Sequence, residues 1–190
     1  GLVGSEMCIR DRLICMAVIF ICMATSSWIQ SSGGQVAVSK IVLPTQNGQS
    51  LAATLFKPIS ATSDTPAPFV AVVPGFQRSR EALSNIAIEL SRRGFVVVSI
   101  DPYGQGSSSS SMSTRSATYE GYGMFALIDY VFETDNLNYV DKSRIGATGH
   151  SAGGNAAIRG AAYFGKEASE TDSALSKLHS VYISGYVLTL

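Results

Sequence analysis

From residue 35 onward the hydrophobic positions fall into short blocks set apart by turn signals. "QVAVSKIVLPT" and "SLAATLFKP" read as strands, and Asn47-Gly48 in the intervening "QNGQ" predicts a hairpin between them. A polar, proline-bearing loop, "ISATSDTPAP", comes next. "FVAVVPGF" (residues 69–76) opens with a continuous β-branched apolar run, the pattern of a strand covered on both faces. Leu83, Ile86, Ala87 and Leu90 then recur at helical spacing, with Ser79 placed to cap the start. Arg92 and Arg93 in the last turn and Gly94 just past it form a stop signal. "FVVVSID" (residues 95–101) is a second fully apolar strand, and the serine-rich residues 107–116 read as a mobile loop. "TYEGYGMFALIDYVFE" predicts a helix with Gly121, Met124, Phe125, Ile128 and Phe132 on one side. "DNLNYVDKS" turns the chain, "RIGATG" is a short strand, "AGGNAAIRGAAYF" a helix rich in small residues, and "SVYISGYV" another strand. After the first hairpin, strands and helices alternate, which argues an α/β fold with a mainly parallel sheet and helices on both faces.

The N-terminus has a different pattern. "LICMAVIFICMA" (residues 13–24) is one apolar run followed by "TSS". That is the form of a signal-peptide core with its cleavage zone, and it is short for a membrane span. Residues 13–26 are therefore expected to be a signal peptide or membrane anchor, and polar residues 27–34 an unpacked linker. The preceding "GLVGSEMCIRDR" (residues 1–12) resembles translated sequencing-adapter sequence and is set aside from fold reasoning. Residues 35–190 are expected to form the N-terminal part of a single domain. An exported protein, periplasmic or secreted and held at a membrane if the segment stays uncleaved, is the corresponding expectation.

Composition narrows the function. Of 190 residues, 46% are hydrophobic and 15% charged, with a formal net charge of zero. No basic face or run stands out, so nucleic acid is not an expected partner. Cys8, Cys15 and Cys22 all precede the domain and the only histidines are His150 and His179, so neither a disulfide framework nor a thiolate or histidine-rich metal site is expected in it.

The candidate chemistry sits in "RIGATGHSAGGNAA", where Ser151 lies between glycines as G-x-S-x-G at a predicted strand-to-helix junction. A serine in a sharp turn there projects its hydroxyl from the C-terminal edge of the sheet, where open α/β sheets bind ligands. Strand and helix nearly collide at such a turn, which requires small flanking residues. Gly149 and Gly153 supply them, and Gly154, Ala156 and Ala157 let the helix lie close. The helix N-terminus adds unpaired N–H groups and the positive end of its dipole, both suited to a developing oxyanion.

With "GHSAGG", the "VDKSRIG" ahead of it, "VVPGF" and "GFVVVSIDPYGQG", residues 36–190 resemble the α/β-hydrolase superfamily. In spacing they are most similar to its dienelactone-hydrolase, cutinase-like and acyl-peptide-hydrolase branches. The resemblance implies that Ser151 is the nucleophile and that the backbone N–H groups of Ala152 and Phe76 form the oxyanion hole. Gly75 would admit the substrate to the backbone. It implies that Asp101 serves loop hydrogen bonding rather than the triad, while Asp141 and Arg144 tie down the turn before the elbow strand. His150 is expected to be a packing residue and His179 a surface or helix-end residue, because in this family acid and base follow the nucleophile, histidine last. Both are then expected beyond residue 190, with the fold incomplete at its C-terminus and the 190-residue piece inactive. The implied activity is hydrolysis of a carboxylic ester, or of an amide or thioester, on a small-molecule or acyl-ester substrate and without a cofactor. Acyl transfer or peptide cleavage on the same fold, and a non-catalytic membrane-tethered binding module, are the competing readings; oligomeric state is left open.

Overall fold

The computed structural model describes residues 2–45, 48–109, 118–164 and 180–184; Asn47, most of the serine tract and His179 lie outside them. Among the described residues six strands form one sheet in the order β1-β2-β4-β3-β5-β6. The strands are β1 (Val36–Pro44), β2 (Ser50–Pro58), β3 (Ala67–Val73), β4 (Val96–Ile100), β5 (Val140–His150) and β6 (Ser180–Ser184). The β1/β2 hairpin is antiparallel, β2 joins β4 antiparallel, and β3, β4, β5 and β6 are mutually parallel. The helices are α1 (Leu2–Gln30), α2 (Ser84–Arg92), α3 (Met124–Glu133) and α4 (Ala152–Phe164).

Period-two alternation divides the strand side chains between two cores. Phe69, Ala71 and Val73 of β3, with Val96, Val98 and Ile100 of β4, pack with Met124, Leu127 and Ile128 of α3 and Ala156 and Ala157 of α4. Val72 and Val97 face the other way, onto Ala87, Leu83, Ile88 and Leu90 around α2. The sheet is thus covered on both faces, as expected for strands apolar along their whole length.

Several elements depart from expectation for identifiable reasons. The segment capped by Ser79 begins as a 3₁₀ turn (Arg80–Leu83), and the α-helix starts only at Ser84. The buried line of α2 runs through Ala87 and Ser91; at 100° per residue it lies about 80° from Ile88 and about 120° from Ile86, so Ile88 rather than Ile86 joins the packed face. The Ser79 hydroxyl makes no capping bond; it bonds the Glu81 carboxylate, the main reason that group lies below its usual pKa. At its other end α2 stops as expected. Gly94 has φ 92°, and the N–H groups of Gly94 and Phe95 donate to the carbonyls of Ser91 and Leu90, closing a Schellman motif.

The expected helix of residues 118–133 begins only at Met124, because Gly121, Tyr122 and Gly123 all have positive φ. β5 is longer than "RIGATG". It starts at Val140 and carries a bulge, the pairing with β3 jumping from Pro68↔Asp141 to Phe69↔Ile145. Asp141 accepts from the Ser143 N–H at 2.9 Å and the Ser143 hydroxyl at 2.6 Å, and pairs with Arg144 at 2.5 Å, tying the bulge together. The Ser143 and Arg144 bonds hold its carboxyl down at about 2.

α1 is also longer than the apolar run. It continues through Gln30, so residues 27–30 are helical and the linker shrinks to the turn that follows. Its segment Cys8–Gln30 is 23 residues long, apolar, and 0% buried. At 1.5 Å per residue that is about 35 Å, enough to cross a bilayer's hydrocarbon core of about 30 Å.

Candidate active site

β3, β4 and β5 end side by side, and the loops leaving them converge on one edge of the sheet. Val73 and Gly149 are register partners, so the "PGF" turn after β3 and the Ser151 turn after β5 are immediate neighbours. Ser151 is exposed, stands between β5 and α4, and has φ 53°. A left-handed conformation costs a non-glycine residue about 1–2 kcal/mol and persists only where the surroundings impose it.

Here the surroundings are backbone. A Cβ on Gly153 would overlap the carbonyl oxygen of Val73 and press on that of Pro74. One on Gly149 would overlap the Gly153 carbonyl and stand 2.7 Å from the Gly154 nitrogen. The first turn of α4 therefore lies directly against the ends of β3 and β5, an approach closed to any side chain. Ser151 accepts the first α4 bond, from the Asn155 N–H at 3.0 Å, and Ala152, half-buried, opens the helix.

A Cβ on Gly75 would lie 3.3 Å from the Ser151 Cβ and from the His150 Nδ1 and carbonyl oxygen, so its bare face is turned toward the elbow. His150, expected to pack inside, is exposed beside it. Phe76, next in the chain, is 41% exposed at the same edge. Among the described residues no imidazole hydrogen-bonds to the Ser151 hydroxyl, and His179 lies outside them.

The loop after β3 is held by polar side chains from the loop after β4. Asp101 is buried, accepts from the Arg80 N–H at 2.7 Å and the Ser107 N–H at 2.8 Å, and pairs with the Arg80 guanidinium at 2.5 Å. Its carboxylate occupies the space beside Gly106, where a Cβ would overlap it. Asp101 thus serves loop hydrogen bonding, as its resemblance implied. Gln105, also buried, accepts from the Gln77 N–H, donates to the Arg78 carbonyl at 3.4 Å and receives the Tyr122 hydroxyl at 3.3 Å.

The serine tract also begins in an ordered form. The Ser108 and Ser109 hydroxyls accept from the Ala52 and Ser50 N–H groups at 2.9 and 2.6 Å, and Ser109 N–H donates to the Ser50 carbonyl at 2.9 Å. Ser108 and Ser109 are therefore pinned to the start of β2, and Ser107 to Asp101, rather than loose; the rest of the tract lies outside the described residues. Sequence reasoning missed Arg80, Gln77 and Gln105. The available signal was the polar Gln105 between glycines immediately after a fully apolar strand. Among the described residues no group of three or more His, Cys, Asp or Glu could hold a metal ion.

The comparisons with known proteins agree with this architecture. A hypothetical protein of Pseudomonas aeruginosa superposes with a TM-score of 0.63 at 23% identity, over 80% of this chain and 44% of its own. An esterase of Pyrococcus furiosus gives 0.56 at 22% identity, over 68% and 49%. The structure of Est1E of Butyrivibrio proteoclasticus with ferulic acid bound gives 0.56 at 23%, over 65% and 47%. The aligned part of this chain thus spans less than half the length of these structures, and at such identities they speak for the fold. The sequence pattern described as PET hydrolase-like matches residues 22–172. The chain belongs to this PET hydrolase-like family, within the α/β-hydrolase superfamily.

Proposed function

We propose that this chain carries the nucleophile and oxyanion hole of a serine hydrolase that cleaves carboxylic esters. The observation that carries the reading is Ser151 itself: exposed, left-handed at φ 53°, and clamped between Gly149 and Gly153 at the edge where three strands end. Membership of a PET hydrolase-like family and the fold shared with esterases support an ester as the bond attacked.

In this mechanism the Ser151 hydroxyl gives its proton to a histidine base and its oxygen adds to the ester carbonyl. The tetrahedral oxyanion is held by the N–H groups of Ala152, at the start of α4, and Phe76, in the turn after β3. Two donors of this kind contribute several kcal/mol to the transition state. Collapse expels the alcohol, protonated by the histidinium, and leaves an acyl-enzyme. Water, deprotonated by the same histidine, then releases the acid and restores Ser151. In the chain order of such triads the acid and then the histidine follow the nucleophile. α1 acts as export signal or anchor, placing the domain outside the cytoplasm.

The test is turnover of p-nitrophenyl butyrate by the full-length enzyme and its Ser151→Ala variant. A fall of at least about 10³-fold with unchanged circular dichroism is expected, in line with losing the nucleophile of a triad. Retained turnover would remove Ser151 from the chemistry.

A further inference from the structure

The geometry points to Gln105 as a positioning residue that sets the oxyanion-binding turn after β3 from a distance of 28 residues. The inference rests on the reading of Phe76 as an oxyanion donor and adds what holds that donor in place.

The turn needs an outside support. Gln77, the residue after Phe76, has φ 54°, a left-handed conformation that a glutamine adopts only under constraint. Part of that constraint is local: the Arg78 N–H donates to the Gly75 carbonyl at 3.2 Å, closing a β-turn with Gln77 at its third position. The Gln105 side chain grips the same turn at two successive residues: the Gln77 N–H bonds its Oε1 and the Arg78 carbonyl its Nε2.

The chemistry of the partners fixes the orientation of that amide. A backbone N–H needs the oxygen and a backbone carbonyl needs the nitrogen, so only one of its two flips satisfies both. The Tyr122 hydroxyl, donating to the same Oε1 at 3.3 Å, reinforces that choice. Gln105 is itself fixed, buried in a turn where its N–H reaches the Pro102 carbonyl at 3.0 Å and its carbonyl receives the Ser108 N–H at 3.1 Å. Holding the Gln77 N–H fixes the peptide plane shared by Phe76 and Gln77, and with it where the preceding Phe76 N–H can stand. An oxyanion donor acts only if it is preset to within a fraction of an ångström. Glutamine suits the task because its amide offers an acceptor and a donor side by side; a carboxylate at the same place would keep the acceptor and lose the donor.

The experiment uses the full-length enzyme, p-nitrophenyl butyrate, and kcat and KM read separately. Gln105→Leu is expected to lower kcat about 10–100-fold with KM unchanged, the loss typical of a misplaced rather than deleted donor. Gln105→Glu, which keeps an acceptor for the Gln77 N–H, is expected to recover part of that kcat. A Leu variant with kcat within twofold of wild type, or one that raises KM alone, overturns the positioning role. So does a Glu variant no better than Leu. Should the Leu variant fail to fold, Tyr122→Phe decides, with a fall in kcat of threefold or more at constant KM supporting the role and wild-type kcat overturning it. Ser151→Ala run in parallel separates the two claims: turnover surviving in it defeats the serine-hydrolase reading itself, whatever the Gln105 variants do.

Discussion

The two turns that face each other at the sheet edge each contain a left-handed non-glycine residue, Ser151 at φ 53° and Gln77 at φ 54°. They are held in opposite ways. At Ser151 the constraint is backbone against backbone: Gly153 on Val73 and Pro74, and Gly149 on Gly153. At Gln77 a β-turn closed by the Arg78 N–H on the Gly75 carbonyl is braced by a buried side chain from another loop, Gln105, with the Asp101–Arg80 pair anchoring the same segment three residues on. The first is a steric lock with almost no freedom. The second is a polar brace, and it gives way when one partner is changed.

That contrast can be broken at its strongest point first. Gly153→Ala inserts a Cβ into the Val73 carbonyl, so the elbow must open. The full-length enzyme is expected to lose about 3 kcal/mol or more in guanidinium unfolding and at least about 100-fold in kcat. A variant with native stability and turnover would mean that the lock is not steric. Next in size is Asp101→Ala, which leaves the buried Arg80 guanidinium without its carboxylate and should cost about 3–5 kcal/mol. A loss below about 1 kcal/mol would place the strength of the brace elsewhere.

Smaller effects sharpen the comparison. Ser151→Gly and Gln77→Gly each relieve a left-handed residue and are expected to raise stability by about 1 kcal/mol or somewhat less, with the glycine's own entropy subtracted. Under the proposed mechanism only Ser151→Gly abolishes turnover. If Gln77→Gly destabilises instead, its side chain makes a contribution that strain relief does not cover.

The smallest effect lies far from both turns, in the bulge of β5. The Asp141 carboxyl is held down to about 2 by Ser143 and Arg144. Because its folded value is below the ordinary one of 3.8, its stabilisation is complete above about pH 4 and disappears as pH falls toward 2. The carboxylate is partly exposed, so the difference between wild type and Asp141→Asn should be slight, confined to that dependence and absent from kcat at neutral pH. A change in turnover would connect the bulge to the site.

The same contrast explains what could be read in the sequence. The elbow was legible because its lock is spelled out locally, in glycines two residues either side of one serine. β3, β4 and the two-sided core were legible because burial on both faces leaves an unbroken apolar run. The brace was not legible, since nothing in "DPYGQG" says that Gln105 reaches Gln77 and Arg78. That pairing depends on β3 and β4 being adjacent and parallel. The late start of α3 escaped notice because hydrophobic period is blind to the sign of φ, which turns positive at Gly121, Tyr122 and Gly123. The packed face of α2 is centred on Ala87 and Ser91, and a stripe of apolar residues alone does not register the serine. For the serine tract, composition reported polarity and nothing about the hydroxyls of Ser108 and Ser109 continuing the bonding of β2.

Whether the strained Ser151 is the nucleophile is tested most directly by treating the full-length enzyme with a fluorophosphonate and mapping the adduct by peptide mass spectrometry. One stoichiometric adduct is expected on Ser151, formed in step with loss of ester turnover and absent from Ser151→Ala. Turnover that continues at full rate with Ser151 modified, or inactivation with the label on another residue, would contradict that role.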